Sequence, residues 1–157
     1  MAPPQDNDSI CTSVVKPPAA RLPSHLRLLL ALTAGALAVP LAVAVWTEPD
    51  PRGYGTHEHL GFAPCTFRVL FNRPCPSCGM TTSWACVAHG QLLPALRANA
   101  GGAMLAMAAL LAVPWLGGSA AFGRWLFRPP SSPSIAIGAS TFGIVTLTQW
   151  VLRLFFA

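Results

Sequence analysis

Residues 28–47 read LLLALTAGALAVPLAVAVWT, an unbroken run without a charge. At ~1.5 Å rise per residue, a helix of that length reaches about the 30 Å of a bilayer's hydrocarbon core. Pro40 falls inside the run, where it can kink a helix but does not forbid one in lipid. A second charge-free stretch extends from Ala98 to Gly123, with Met104 to Trp115 as its apolar centre. Pro94 suits the first turn of that helix and Gly117-Gly118 its end. The third stretch runs from Pro129 to Leu152, helical from Ile135, with Trp150 and Arg153 placed as interfacial anchors. Spans are therefore expected at about 28–47, 94–116 and 135–154. Gly101, Gly102, Gly138 and Gly143 are small enough to let helices approach closely.

Composition agrees with lipid-facing surfaces. Only 10% of the 157 residues are charged, against roughly 25% in ordinary soluble proteins. Hydrophobic residues make up 53%, and the mean hydropathy is +0.51. A compact soluble helical protein would need more charge to cover its exterior. The net charge of +5 comes from basic residues scattered singly at the flanks of apolar runs. Such flanks act as orientation signals and anchors, with Arg97 set to reach the interface. No dense basic run with interleaved aromatics exists, so nucleic acid is not an expected partner. Membrane lipid is, together with a membrane-protein partner.

Residues 1–24 are polar and Pro-rich and are expected to form a disordered tail; residues 25–157 form the helical membrane domain. Arg21, Arg27, the first apolar run and Ala42-Val43-Ala44 also resemble a signal peptide. The length of the run and the extended basic region before it favour a retained anchor. Lys16, Arg21 and Arg27 precede the first span, while Arg124 and Arg128 occupy the short second connection. Three spans put both groups on one side, and the rule for short loops makes that side cytoplasmic. A bacterial inner membrane with a cytoplasmic N-terminus is the expected setting, with the long first connection outside.

That connection carries the chemistry, in a cysteine-containing loop and short helix over residues 53–90. Gly and Pro punctuate residues 53–67 as a loop. Pro76 suits the first turn of a short interfacial or re-entrant helix over residues 77–89, with Gly90 its terminator. In a continuous helix Met80, Trp84 and Val87 share one face, and Cys78, Thr82, Cys86 and His89 the other. Cys86 would then lie ~12 Å from Cys78 and ~16 Å from Cys75. Ligands joining Cys75 and Cys78 around one ion must come from elsewhere, and Cys65, His57 and His59 are nearest in sequence.

Three readings stand side by side. In the first, the Cys-x-x-Cys pair turns onto zinc, helped by the tight turn that Gly79 allows, with Cys65 and His57 or His59 completing four ligands. In the second, a thiol near a helix N-terminus does redox chemistry with Cys65 as its resolving partner, as a membrane thiol–disulfide oxidoreductase would. No thioredoxin-type βαβ pattern surrounds the motif. In the third, the cysteines pack as small hydrophobes or form a structural disulfide from Cys65 to Cys75 or Cys78, in a subunit without chemistry of its own. Thr81, Thr82 and Ser83 then satisfy backbone or interhelical hydrogen bonds. No carboxylate pair, nucleophile–base set or phosphate loop is visible, so no catalytic residue is named and an enzyme is the less expected outcome.

Cys75-Pro76-Ser77-Cys78-Gly79-Met80-Thr81-Thr82, followed by His89-Gly90 and Ala95-Leu96-Arg97-Ala98-Asn99, resembles the bacterial membrane family of domain of unknown function 2752. Its Cys-Pro-x-Cys-Gly-x-Thr core precedes an apolar helix. Gly53-Tyr54-Gly55-Thr56-His57 and Leu60-Gly61 through Pro64-Cys65 are similar to its planctomycete-type variant. Many members carry Thr-Arg where this chain has Thr81-Thr82. The resemblance implies membrane location and a shared cysteine motif, and carries no reaction with it. The sequence thus describes an all-α integral membrane protein of three transmembrane helices plus one short helix, with a thiol site for zinc or a disulfide.

Overall fold

The computed structural model describes residues 21–156, in five helices: α1 (Ser24–Trp46), α2 (Thr66–Phe71), α3 (Met80–Ala88), α4 (Leu92–Phe122) and α5 (Ser132–Phe156). No strand occurs among the described residues. The expected disordered tail lies outside them apart from the few residues that lead into α1. Helices α1, α4 and α5 are long and apolar enough to cross a membrane. The chain is a multi-pass membrane protein.

Helix α1 passes through Pro40 without ending, and it runs antiparallel to α4. At one end of the pair, Arg27 of α1 donates to the carbonyls of Ala120 and Ala121 in the last turn of α4. A cation there satisfies carbonyls that a helix end leaves unpaired. At the other end, α3 packs on both α1 and α4. The core at this end joins Leu41 and Ala44 of α1 to Trp84, Cys86 and Val87 of α3 and to Ala95, Ala103, Ala106 and Ala109 of α4. Alanines line the α4 side because a small side chain lets two helix backbones come close.

Several boundaries differ from expectation. The short helix starts at Met80, three residues later than expected, because Gly79 is left-handed (φ 83°) and ends any helical path from Pro76. Gly90 does adopt the left-handed turn expected of a terminator (φ 73°). The helix exposes no broad face: every residue from Thr82 to Val87 is buried. Within the expected loop, Glu58–Leu60 forms a single 3-10 turn, and α2 begins at Thr66. Gly117-Gly118 does not end α4, which continues to Phe122 and stops at left-handed Gly123. Those two glycines serve packing instead, where a Cβ would meet Ala34 or press on Leu126. Close approach is realised at Gly101, against Thr146 of α5, and at Gly102, against Met80 and Ser83 of α3. Gly138 and Gly143 face open space, so they contribute no helix contact.

Helix α4 is not continuous. Asn99 has an extended backbone (φ −168°, ψ 109°), which splits the helix about two turns after its start. The groups freed by this break find partners on other elements. Gln149 of α5 donates to Leu96 O at 2.8 Å and accepts from Ala100 N–H at 2.6 Å. Arg153 donates to the carbonyls of Arg97 and Ala98. Such satisfaction is required wherever a helix is broken inside a membrane domain.

Candidate functional site

The thiols meet at the end of the bundle where α1 finishes, α4 begins and α5 ends. Sequence supplies them from two short segments. Cys65 sits at the N-cap of α2. Cys75 and Cys78 flank the turn Pro76–Gly79, which closes with a hydrogen bond from Cys78 N–H to Cys75 O at 3.0 Å. Cys65 Sγ and Cys75 Sγ are 3.6 Å apart. All three sulfurs lie within 4.8 Å of one another. Cys78 is buried, and the other two are half-buried.

The turn is held from behind, by residues the sequence pattern did not single out for this role. Asn99, only 1% exposed, donates from Nδ2 to Pro76 O and Cys78 O, each at 3.2 Å, while its Oδ1 accepts from Gly102 N–H at 2.8 Å. Ser83 Oγ donates to Asn99 O at 2.9 Å. Trp150 and Arg153, expected as interfacial anchors, bond the turn directly. Trp150 Nε1 donates to Pro74 O at 2.8 Å and Arg153 Nη1 to Cys78 O at 3.2 Å. The one available signal for this clasp was polarity out of place: Asn99 stands at the head of an otherwise apolar stretch.

Gly79 packs so closely that a Cβ would collide with the carbonyl oxygens of Gly53 and Ala98. Only glycine combines its positive φ with that approach. Among the other motif residues, Pro76 is half-buried in the turn and Thr81 is exposed. Thr82 is fully buried and accepts from Thr56 Oγ1 at 2.8 Å. Thr56 in turn accepts from Asp50 N–H at 3.0 Å, which ties the loop after α1 to α3.

The histidines do not join the sulfurs. His59 Nε2 lies 3.0 Å from Asp50 Oδ2, in an ion-pair cluster with Arg52 and Glu58. The 3-10 turn directs it there, and neither His57 nor His59 is part of the thiol group. Cys86 and His89 also stay apart from it, as helix length requires.

Electrostatics divide the thiols. The Arg68 backbone amide at the start of α2 holds the Cys65 thiol below the usual thiol range. Burial, reinforced by the Cys65 thiol, pushes Cys75 up to about 11. Cys65 therefore loses its proton before Cys75. Burial alone pushes Cys86 up, as expected of a thiol that only packs. The Arg52 guanidinium beside Asp50 holds that carboxyl well below the usual carboxylate range.

Fold and site together define a helical membrane protein whose interhelical turn gathers three cysteines at one end of its bundle. Residues 65–113 match the model of the family described as Protein of unknown function (DUF2752), the same family that the cysteine motif resembles. The matched segment contains all three clustered cysteines, α2, α3 and the broken part of α4. No curated protein and no solved structure matches the chain.

Proposed function

We propose that Cys65, Cys75 and Cys78 together bind one zinc ion at the end of the membrane bundle. The observation that carries this reading is the spacing of the sulfurs. Tetrahedral zinc with Zn–S bonds of about 2.3 Å sets its sulfurs about 3.8 Å apart. The observed 3.6 Å between Cys65 and Cys75, with Cys78 inside the same 4.8 Å group, needs only small adjustments to reach that geometry. A disulfide, with sulfurs about 2.05 Å apart, requires a larger closure. Zinc binding also offsets the cost of gathering three thiols, because it favours their deprotonated forms.

Three protein ligands leave a fourth tetrahedral position, which water, a small ligand or a partner's side chain fills. Zinc supplies Lewis acidity at that position. The chain's own contribution is rigidity: Asn99, Trp150 and Arg153 fix the turn through its carbonyls. We place the thiol end on the external side of a bacterial inner membrane, with a cytoplasmic N-terminus, on the distribution of basic residues around the spans.

Metal analysis of detergent-purified full-length protein tests the proposal. Near-stoichiometric zinc is expected, with loss on Cys75→Ser or Cys78→Ser. Protein without metal whose Cys65 and Cys75 are alkylated only after reduction would assign the pair to a disulfide and reject the zinc reading. Labelling Cys65 with an impermeant thiol reagent in spheroplasts, after reduction and chelation, tests the orientation. Labelling only after lysis would reverse it.

A further inference from the structure

A cavity of about 940 Å³ opens beside the thiol turn, between the loop that follows α1 and the ends of α4 and α5. Its wall carries Arg52, Arg68, Arg73, Arg97 and Arg153, against a single acid, Asp50. Arg52 is already neutralised by Asp50 at 2.7 Å and Glu58 at 3.1 Å. The other four form no ion pair among the described residues. From these we infer that the cavity binds a phosphate-bearing anion.

A guanidinium does not shed its proton inside a protein, so this concentration of positive charge cannot be relieved from within. Even a zinc ion on three thiolates would bring only one net negative charge to the neighbourhood. An anion drawn from outside would balance the remainder, and the exposed Arg73 and Arg97 leave the cavity open to one. Planar guanidinium forks match phosphate oxygens with two parallel hydrogen bonds each, which makes phosphate the fitting class.

The site is built, and its arginines differ in function. Arg153 and Arg73 spend donors on protein carbonyls, those of Cys78, Arg97, Ala98 and Leu154. They fix the wall. Arg68 and Arg97 donate no side-chain hydrogen bond to the described chain, so their forks are free for a ligand. Arg68 is nevertheless held in place: its Cζ stacks 3.6 Å from the centroid of the Tyr54 ring. The volume lies within the range of small-molecule sites, enough for a phosphorylated headgroup or a soluble phosphate compound.

Two probes distinguish these sources. Full-length protein in nanodiscs of phosphatidylcholine, with or without phosphatidylglycerol, is examined by native mass spectrometry for retained lipid. The same protein in neutral detergent is titrated with inorganic phosphate by calorimetry. Retention of phosphatidylglycerol over phosphatidylcholine assigns a lipid headgroup, and saturable phosphate binding assigns a soluble ligand. Arg68→Gln and Arg97→Gln should each weaken binding by about tenfold. Neither leaves an orphaned protein carbonyl, and circular dichroism confirms that each folds. Arg124→Gln, at the opposite end of α4, should leave binding unchanged. Failure of both probes to bind, or equal weakening by Arg124→Gln, overturns the assignment. Because the readout is anion binding, it fails or succeeds independently of the zinc content of the preparation.

Discussion

Asn99→Ala removes the single side chain that joins the broken helix to the cysteine turn. In the native protein its amide donates to Pro76 O and Cys78 O at 3.2 Å and accepts from Gly102 N–H at 2.8 Å. Alanine deletes all three bonds. Cys78 O keeps the Arg153 guanidinium as a donor. Pro76 O and Gly102 N–H lose this partner, and each orphaned buried group costs roughly 1–3 kcal/mol. The loss is therefore about 2–6 kcal/mol, before any void left by the missing amide. At 1.4 kcal/mol per factor of ten, the low end already raises opening of the turn by about thirtyfold. The assay is the alkylation rate of Cys75 and Cys78 in detergent-solubilised protein that has been reduced and stripped of metal. Cys86, buried in α3, reports global unfolding in the same sample. Local opening should raise the rates of Cys75 and Cys78 well above any change at Cys86. Asn99→Asp should fare no better than alanine while ionised, because it turns acceptors toward two carbonyl oxygens. Wild-type alkylation rates together with a wild-type melting temperature for Asn99→Ala would refute the reasoning.

Gly79→Ala forces a left-handed backbone on a residue with a Cβ, at roughly 1–2 kcal/mol, and drives that Cβ into two carbonyl oxygens. A loss of about 2–5 kcal/mol, read as a lower melting temperature and diminished zinc retention, is expected; unchanged stability would mean that the turn has another conformation. Asp50 gives a pH dependence whose sign follows from its lowered pKa. The stability of its ion pairs is complete above the unfolded value of about 3.9 and is lost as pH falls through the lower folded value. Hydrogen exchange in residues 49–59 should therefore accelerate only at strongly acid pH, whereas Asp50→Asn should exchange fast at neutral pH and show little acid dependence. Superimposable profiles for the two proteins would reject this account.

The spans were legible because crossing a bilayer sets a requirement of length and charge that one stretch of sequence meets alone. Residues 28–47 and 98–123 satisfy it, and all but the last residue of each lie in long helices. Helix ends were less legible, since glycine marks an end only where the chain takes a positive φ. Gly123 does so, while Gly117 and Gly118 are helical and serve packing. Helix α2 is only six residues long, too short for a periodic pattern to reveal. The cysteine cluster was half legible. Cys65, Cys75 and Cys78 are close in sequence and in space, but His59 is drawn to Asp50 by an ion pair that spacing does not announce. Beyond the out-of-place polarity of Asn99, the clasp of Asn99, Trp150 and Arg153 was hidden for a simpler reason. Its partners are separated by twenty to eighty positions, and no local pattern encodes such a meeting.

That clasp explains how α5 is attached at all. None of its spanning window is buried by the rest of the protein. In lipid this costs nothing, but it also removes the hydrophobic drive that would press α5 onto α4. Attachment must then come from close packing and polar bonds, and both are concentrated at one end. Gly101 admits Thr146, Gln149 bonds Leu96 O and Ala100 N–H, and Arg153 bonds the carbonyls of Arg97 and Ala98. A continuous α4 would offer none of these backbone groups, because each would be spent within the helix. The extended backbone at Asn99 creates them, and the Asn99 side chain faces the other way to hold Pro76 and Cys78. Helix break, docking of α5 and shape of the cysteine turn are therefore one arrangement, and a sequence that straightened α4 would lose the thiol geometry along with the polar bonds that tie its third span to α4.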